Sequence, residues 1–85
     1  MLLIWDENAG EDYLWWQAQD HKVLKRINLL LIDIQRNGNE GIGKPEALKH
    51  DFGRYWSRRI TDEHRLAYKI AGKEARIAAC RYHYG

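Results

Sequence analysis

The sequence predicts an α+β fold, with two N-terminal helices packed on one face of a twisted, mainly antiparallel sheet. Three observations carry this expectation. Two consecutive segments, EDYLWWQAQ and HKVLKRINLLLIDIQRN, have helical character, and the second sets apolar residues at helical spacing. NGNEGIGKP, holding three glycines and the only proline, then interrupts the chain. Beyond it come short runs rich in Tyr, Trp and Ile with strand-like alternation.

The elements follow in order. LLIW at 2–5 is an apolar run suited to a buried strand. Asp6 is placed to cap the first helix, with Glu7 and Glu11 suiting its first turn, and Asp20 is placed to cap the second. In the second helix Val23, Ile27, Leu30, Leu31 and Ile34 form a stripe that Leu24, Leu29 and Ile32 widen. Four further strands are expected, in ALKHD, RYWSRRIT, HRLAYKI and ARIAACRYHY, with AGK at 71–73 turning between the last two. Parity puts Trp56 and Ile60, and Leu66, Tyr68 and Ile70, against the helices, so Arg59 and Arg65 point to the open face. The last strand carries apolar residues on both faces, and its orientation stays open. Its pairing into the sheet is expected to hold the chain end CRYHYG in place.

Residues 1–85 have room for one domain. With 45% hydrophobic and 31% charged residues the chain is expected to fold rather than stay disordered. The net charge of +2 is too small to imply a polyanion, but its distribution is uneven. DENAGED at 6–12 is acidic, whereas the chain from Arg54 onward is basic, which suits a face turned to a polyanion. The lone Cys80 cannot form an internal disulfide and reads as a buried thiol. No run approaches the roughly 20 apolar residues of a membrane span. No signal peptide is legible, so a cytoplasmic location is expected.

Candidate chemistries narrow quickly. His21, His50, His64 and His83 are scattered, and no spacing matches a metal site. GIGKPE lacks the Walker spacing, and Ser57, the only serine, has no elbow around it. Acid–base cleavage of RNA without a metal or cofactor remains. The 2′-hydroxyl is RNA's own nucleophile, so the protein need only supply a base, cations for the phosphorane and an acid for the leaving oxygen. Glu46, Arg59 and Arg65, and His83 fill that list, and an unperturbed imidazole pKa of about 6.5 suits the acid. On composition alone each of these residues is as readily an ordinary surface group.

The stretches GKPE, LKH, WSRRIT, EHRL and ACRYHY, with LLIWDE and DYLWWQ in the first half, together resemble the YoeB toxins of the RelE-like superfamily. The resemblance covers nearly the whole chain and implies a RelE-like, microbial-RNase-like fold. It implies an endoribonuclease that cuts mRNA in the ribosomal A site, leaving a 2′,3′-cyclic phosphate and a 5′-hydroxyl. It implies restraint by a YefM-like antitoxin, and homodimerisation. By position Glu46 matches the general base, His83 the general acid and Arg65 the phosphate-stabilising arginine. Arg59 and Lys49 match supporting cations, and Tyr84 matches the aromatic that positions substrate or histidine. Ala47 stands where proline is common, FGR at 52–54 departs from the usual turn, and Gly85 extends the chain past the usual terminal tyrosine.

A catalytically silent module that binds RNA or the ribosome and blocks translation by occupancy is the alternative, because a basic, aromatic-bearing face binds RNA without cutting it. A third reading is a purely structural interaction domain. Trp15 and Trp16 are candidate anchors for a protein partner, or else core residues.

Overall fold

A computed structural model of the chain describes residues 1–49 and 53–82. His50 and the CRYHYG residues from His83 onward therefore lie outside the described residues, as do Asp51 and Phe52. The element order is β1 (Leu2–Trp5), α1 (Glu7–Gln19), α2 (His21–Asn37), β2 (Glu46–Ala47), β3 (Trp56–Arg59), β4 (Arg65–Ala71) and β5 (Glu74–Ala79). The strands form one sheet in the order β1-β5-β4-β3-β2. Only the β1–β5 pair is parallel, with Trp5 beside Ile77, and the other pairs are antiparallel.

Both expected helices form, and the second matches its predicted span. Asp20 caps α2 by accepting from the backbone N–H of Lys22 at 3.0 Å and of Val23 at 3.3 Å. Gly38 ends the helix in a left-handed conformation, φ 66°. α1 begins at Glu7, directly after the expected cap position Asp6 and ahead of the EDYLWWQAQ segment. Asp6 stands at its N-cap without a side-chain capping bond, and instead meets Arg76 on β5 at 3.3 Å.

The core lies between the helices and one face of the sheet. Ile27, Leu30, Leu31 and Ile34 of α2 are buried there with Leu66, Tyr68, Ala75 and Ile77 from the sheet and Trp16 from α1. Val23 and Leu24 pack against its edge. Leu29 and Ile32 do not join it: they are 55% and 46% exposed, so the buried stripe of α2 is narrower than the run of leucines and isoleucines implies. A single helix face about 100° wide is all the sheet can cover.

The strand expectations need three corrections. The strand expected in ALKHD is reduced to Glu46–Ala47, followed by one further bond, Leu48 N–H to the Tyr55 carbonyl at 2.8 Å. β5 stops at Ala79, so residues 80–82 are not held by a ladder. The two-face pattern of the last strand has a physical cause: Tyr68 faces Ile77 whereas Ala67 faces Ala79, which leaves Ala78 as a β-bulge. The bulge moves the inward set from Ala75 and Ile77 to Cys80, and all three are fully buried. Finally, the core-facing parity of Trp56 and Ile60 carries Arg58 into the interior with no exposed surface at all.

Candidate active site

The open face of the sheet is built from small residues ringed by charged ones. Across the strands Glu46 pairs with Ser57, Ser57 with Ala67 and Ala67 with Ala79. Alternation puts these residues on the side away from the helices. Ser57, Ala67 and Ala79 are small and buried, and they form a floor. Two residues further along, Arg59 and Arg65 face each other as register partners on β3 and β4. With strands about 4.8 Å apart and a rise of about 3.4 Å per residue, the Glu46 and Arg65 backbones stand about 12 Å apart.

Arg65 is held by its own turn, whereas the other charged groups of this face are open. Arg65 lays Nη1 against the carbonyls of the β3–β4 turn, donating to Thr61 at 2.6 Å, His64 at 3.1 Å and Asp62 at 3.2 Å. Thr61 Oγ1 closes that turn by accepting from the N–H groups of Glu63 and His64. Arg59 makes only a loose 4.0 Å contact with the fully exposed Asp62, so its charge is not neutralised by a close partner among the described residues. Its backbone is stitched to the preceding loop: its N–H donates to Gly43 at 2.6 Å and its carbonyl accepts from Arg26 Nη2 at 3.3 Å. Glu46 is exposed at the sheet edge, and Lys49 is exposed in the loop beyond β2. His83 and Tyr84 lie outside the described residues. The site residues expected from the sequence thus divide into three brought to one face, one beside it and two not described.

Parity reasoning did not pick out Arg58 as the support for the Glu46 loop. The Arg58 guanidinium donates to Asp33 Oδ2 at 2.5 Å, to Ile42 and Gly38 carbonyls at 2.8 and 2.6 Å, and to the Glu40 carbonyl at 3.1 Å. Its Nε donates to the Tyr68 hydroxyl at 3.1 Å. Asp33 also accepts from Asn37 and from the Ile42 N–H. The hydrogen bond from Arg58 holds the Asp33 carboxyl below the ordinary carboxylate range. Three of these five donor bonds therefore order residues 38–42, just ahead of the strand that carries Glu46. A charge at an inward parity position, with an acid beside the stripe of the facing helix, was the available signal.

The chain end is clasped by α1 rather than by strand pairing. Trp16 Nε1 donates to the Cys80 carbonyl at 2.8 Å, and Asp12 accepts from the Cys80 N–H at 3.0 Å. Burial raises the Asp12 carboxyl above its ordinary value despite that bond. The Arg81 guanidinium stacks on Trp15, 3.6 Å from the ring centroid. The two tryptophans therefore split: Trp16 is core, and Trp15 remains 37% exposed. Cys80 is the buried thiol expected, and burial pushes it up to about 12. Among the described residues no helix is long and apolar enough to cross a membrane. Among them, too, no three His, Cys, Asp or Glu side chains group so as to hold a metal ion.

Known proteins share the fold and about half of the sequence. The family described as YoeB-like toxin of bacterial type II toxin–antitoxin system matches residues 5–84. Toxin YoeB of Escherichia coli K12 is 54% identical over 84 residues, covering 99% of this chain and 100% of that protein. The heterotetrameric YoeB–YefM toxin–antitoxin complex from Staphylococcus aureus contains a chain with TM-score 0.91 and 49% identity, covering 99% of both chains. The YoeB dimer from the same organism has TM-score 0.93 at 48% identity, covering 99% of this chain and 98% of that one. The class is thus a toxin of a bacterial type II toxin–antitoxin system. Within that class, the chain belongs to the YoeB-like toxin family, on the RelE-like scaffold its motifs imply.

Proposed function

We propose that this toxin is a single-domain, ribosome-dependent endoribonuclease that cuts mRNA in the A site and so inhibits translation. Glu46 takes the proton of the 2′-hydroxyl, and O2′ attacks the adjacent phosphorus. Arg65, with Arg59 and Lys49, stabilises the added charge of the phosphorane. The P–O5′ bond then breaks, His83 donates a proton to the leaving oxygen, and the products are a 2′,3′-cyclic phosphate and a 5′-hydroxyl. Tyr84 positions the substrate or His83. No metal or cofactor takes part in this scheme.

The observation that carries this reading is the pairing of Arg59 with Arg65 on the face that also bears Glu46. Two arginines on neighbouring strands of one face concentrate positive charge there, which suits the added charge of a phosphorane. A flanking carboxylate on such a face suits proton abstraction rather than charge neutralisation. A YefM-like antitoxin and a second copy of the chain are the expected protein partners, by likeness to the Staphylococcus aureus assemblies. The cytoplasm, where ribosomes translate, is the expected compartment.

Primer extension on messages translated in a purified system tests the reading. Wild type should generate new 5′ ends within the A-site codon, and Glu46→Gln and Arg65→Ala should lose them while still binding ribosomes. Undiminished cleavage by Glu46→Gln removes that residue from the base role. Translation arrest by wild type without new 5′ ends supports the silent binding module instead.

A further inference from the structure

After the bulge, the chain from Cys80 to Tyr82 leaves the sheet, and its last described residue is gripped at both backbone polar groups. Tyr82 N–H donates to His64 Nδ1 at 2.7 Å, and the Tyr82 carbonyl accepts from the Arg65 N–H at 2.8 Å. His64, just before β4, and Arg65, its first residue, thus hold Tyr82 together. Tyr82 meanwhile has φ 67°, a left-handed conformation that a tyrosine adopts only where its surroundings impose it.

A neutral imidazole has one acceptor nitrogen, and the Tyr82 bond assigns that role to Nδ1. Nε2 then carries the hydrogen, on the side of the Glu63 carboxylate 3.8 Å away. The ring is kept in this orientation by the edge-on Trp16 indole at 4.8 Å and the tilted Tyr82 ring at 5.6 Å. Arg65, next to His64, is the phosphate arginine of the proposed mechanism, and His83, next to Tyr82, is its acid. The two bonds together fix the Tyr82 main chain directly beside that arginine.

We propose that His64 is a positioning residue of this toxin, which through Nδ1 anchors the Tyr82 backbone beside Arg65. The proposal rests on the nuclease reading and adds a residue to it. His64 itself touches neither substrate nor reacting atoms in this scheme.

The test compares His64→Asn, His64→Gln and His64→Ala in the full chain. The Asn side-chain oxygen overlies Nδ1 and can accept from Tyr82, whereas the Gln oxygen overlies Nε2 and cannot. The readouts are the single-turnover cleavage rate constant on ribosome-bound message, the half-saturating toxin concentration, and hydrogen exchange at the Tyr82 amide. The Gln and Ala variants should lose roughly 10–100-fold in rate constant with half-saturation within about threefold of wild type. Their Tyr82 amide should exchange faster, and Asn should restore both readouts to within about threefold of wild type. An Ala variant that cleaves at the wild-type rate overturns the proposal. So does an Asn variant that keeps the Tyr82 amide protected yet cleaves as poorly as Gln. Should Ala fail to fold, the Asn–Gln pair decides in the same way. A wild-type toxin that leaves every message intact removes the nuclease reading itself, a result distinct from either outcome among the variants.

Discussion

Arg58 Nη1 lies 2.5 Å from Asp33 Oδ2, and the arginine side chain has no solvent exposure. This pair joins α2 to β3 beneath the loop that leads to Glu46. Removing one partner of a buried pair leaves the other charge uncompensated, whereas removing both is often tolerated.

Asp33→Ala should therefore destabilise the protein by about 3–5 kcal/mol, read as a lower urea midpoint with an unchanged slope. The double variant Asp33→Leu with Arg58→Met should not recover wild-type stability. The carbonyls of Gly38, Glu40 and Ile42 all depend on the same guanidinium, and these part-buried acceptors lose their donor with it. A double variant as stable as wild type would show that the loop does not need those bonds.

Asp33 also predicts an acid limb of stability. Its folded-state pKa is depressed, so its contribution is fully present above the unfolded value of about 3.9 and is lost as pH falls through the lower folded value. Asp12 is shifted the other way, and its contribution works against stability as pH rises through its raised value. Denaturant titrations between about pH 2 and 6 should show a steep acid loss in wild type that is shallower in Asp33→Asn. Identical slopes in the two proteins would mean that the ion pair is not formed in solution.

Two glycines should respond in opposite directions. Gly43 has φ 80°, and a Cβ there would meet Leu30 Cδ2 at 2.8 Å and the Arg59 carbonyl at 3.2 Å. Gly43→Ala should cost about 1–3 kcal/mol and should displace the loop stitched to Arg59, lowering cleavage as well. Gly10 sits in α1 with nothing within 4 Å of an added Cβ, so Gly10→Ala should stabilise by about 0.5–1 kcal/mol. Thermal unfolding of the two variants beside wild type checks both signs.

Cys80 should behave as an inert thiol. Its pKa of about 12 leaves almost no thiolate at neutral pH, and the side chain is fully buried against the Ala9 carbonyl. Labelling by a disulfide reagent should track the unfolded fraction, becoming complete in denaturant and negligible in buffer over the same time. Rapid labelling of the native protein would place the sulfur at the surface.

The fold was legible wherever a period was clean. The stripe from Ile27 to Ile34, the Asp20 cap and the alternation of Leu66, Tyr68 and Ile70 each rest on local geometry, which neighbours in sequence specify. The inference that Arg59 and Arg65 share the open face followed from the same period of two. Arg58 was not legible in the same way, because nothing local indicates that Asp33, 25 residues away, would meet it.

What the sequence determined by itself is the order of elements, the apolar side of the strands at 56–60 and 66–70 and the placement of Arg59 and Arg65 together on the open face. Only the tertiary structure decided the support beneath those residues: the Arg58–Asp33 pair, the bulge at Ala78 and the grip of His64 on Tyr82. The physical reason is range. Periodicity and capping are properties of a few adjacent residues, whereas a buried charge or an out-of-sheet backbone finds its partners only when distant elements pack.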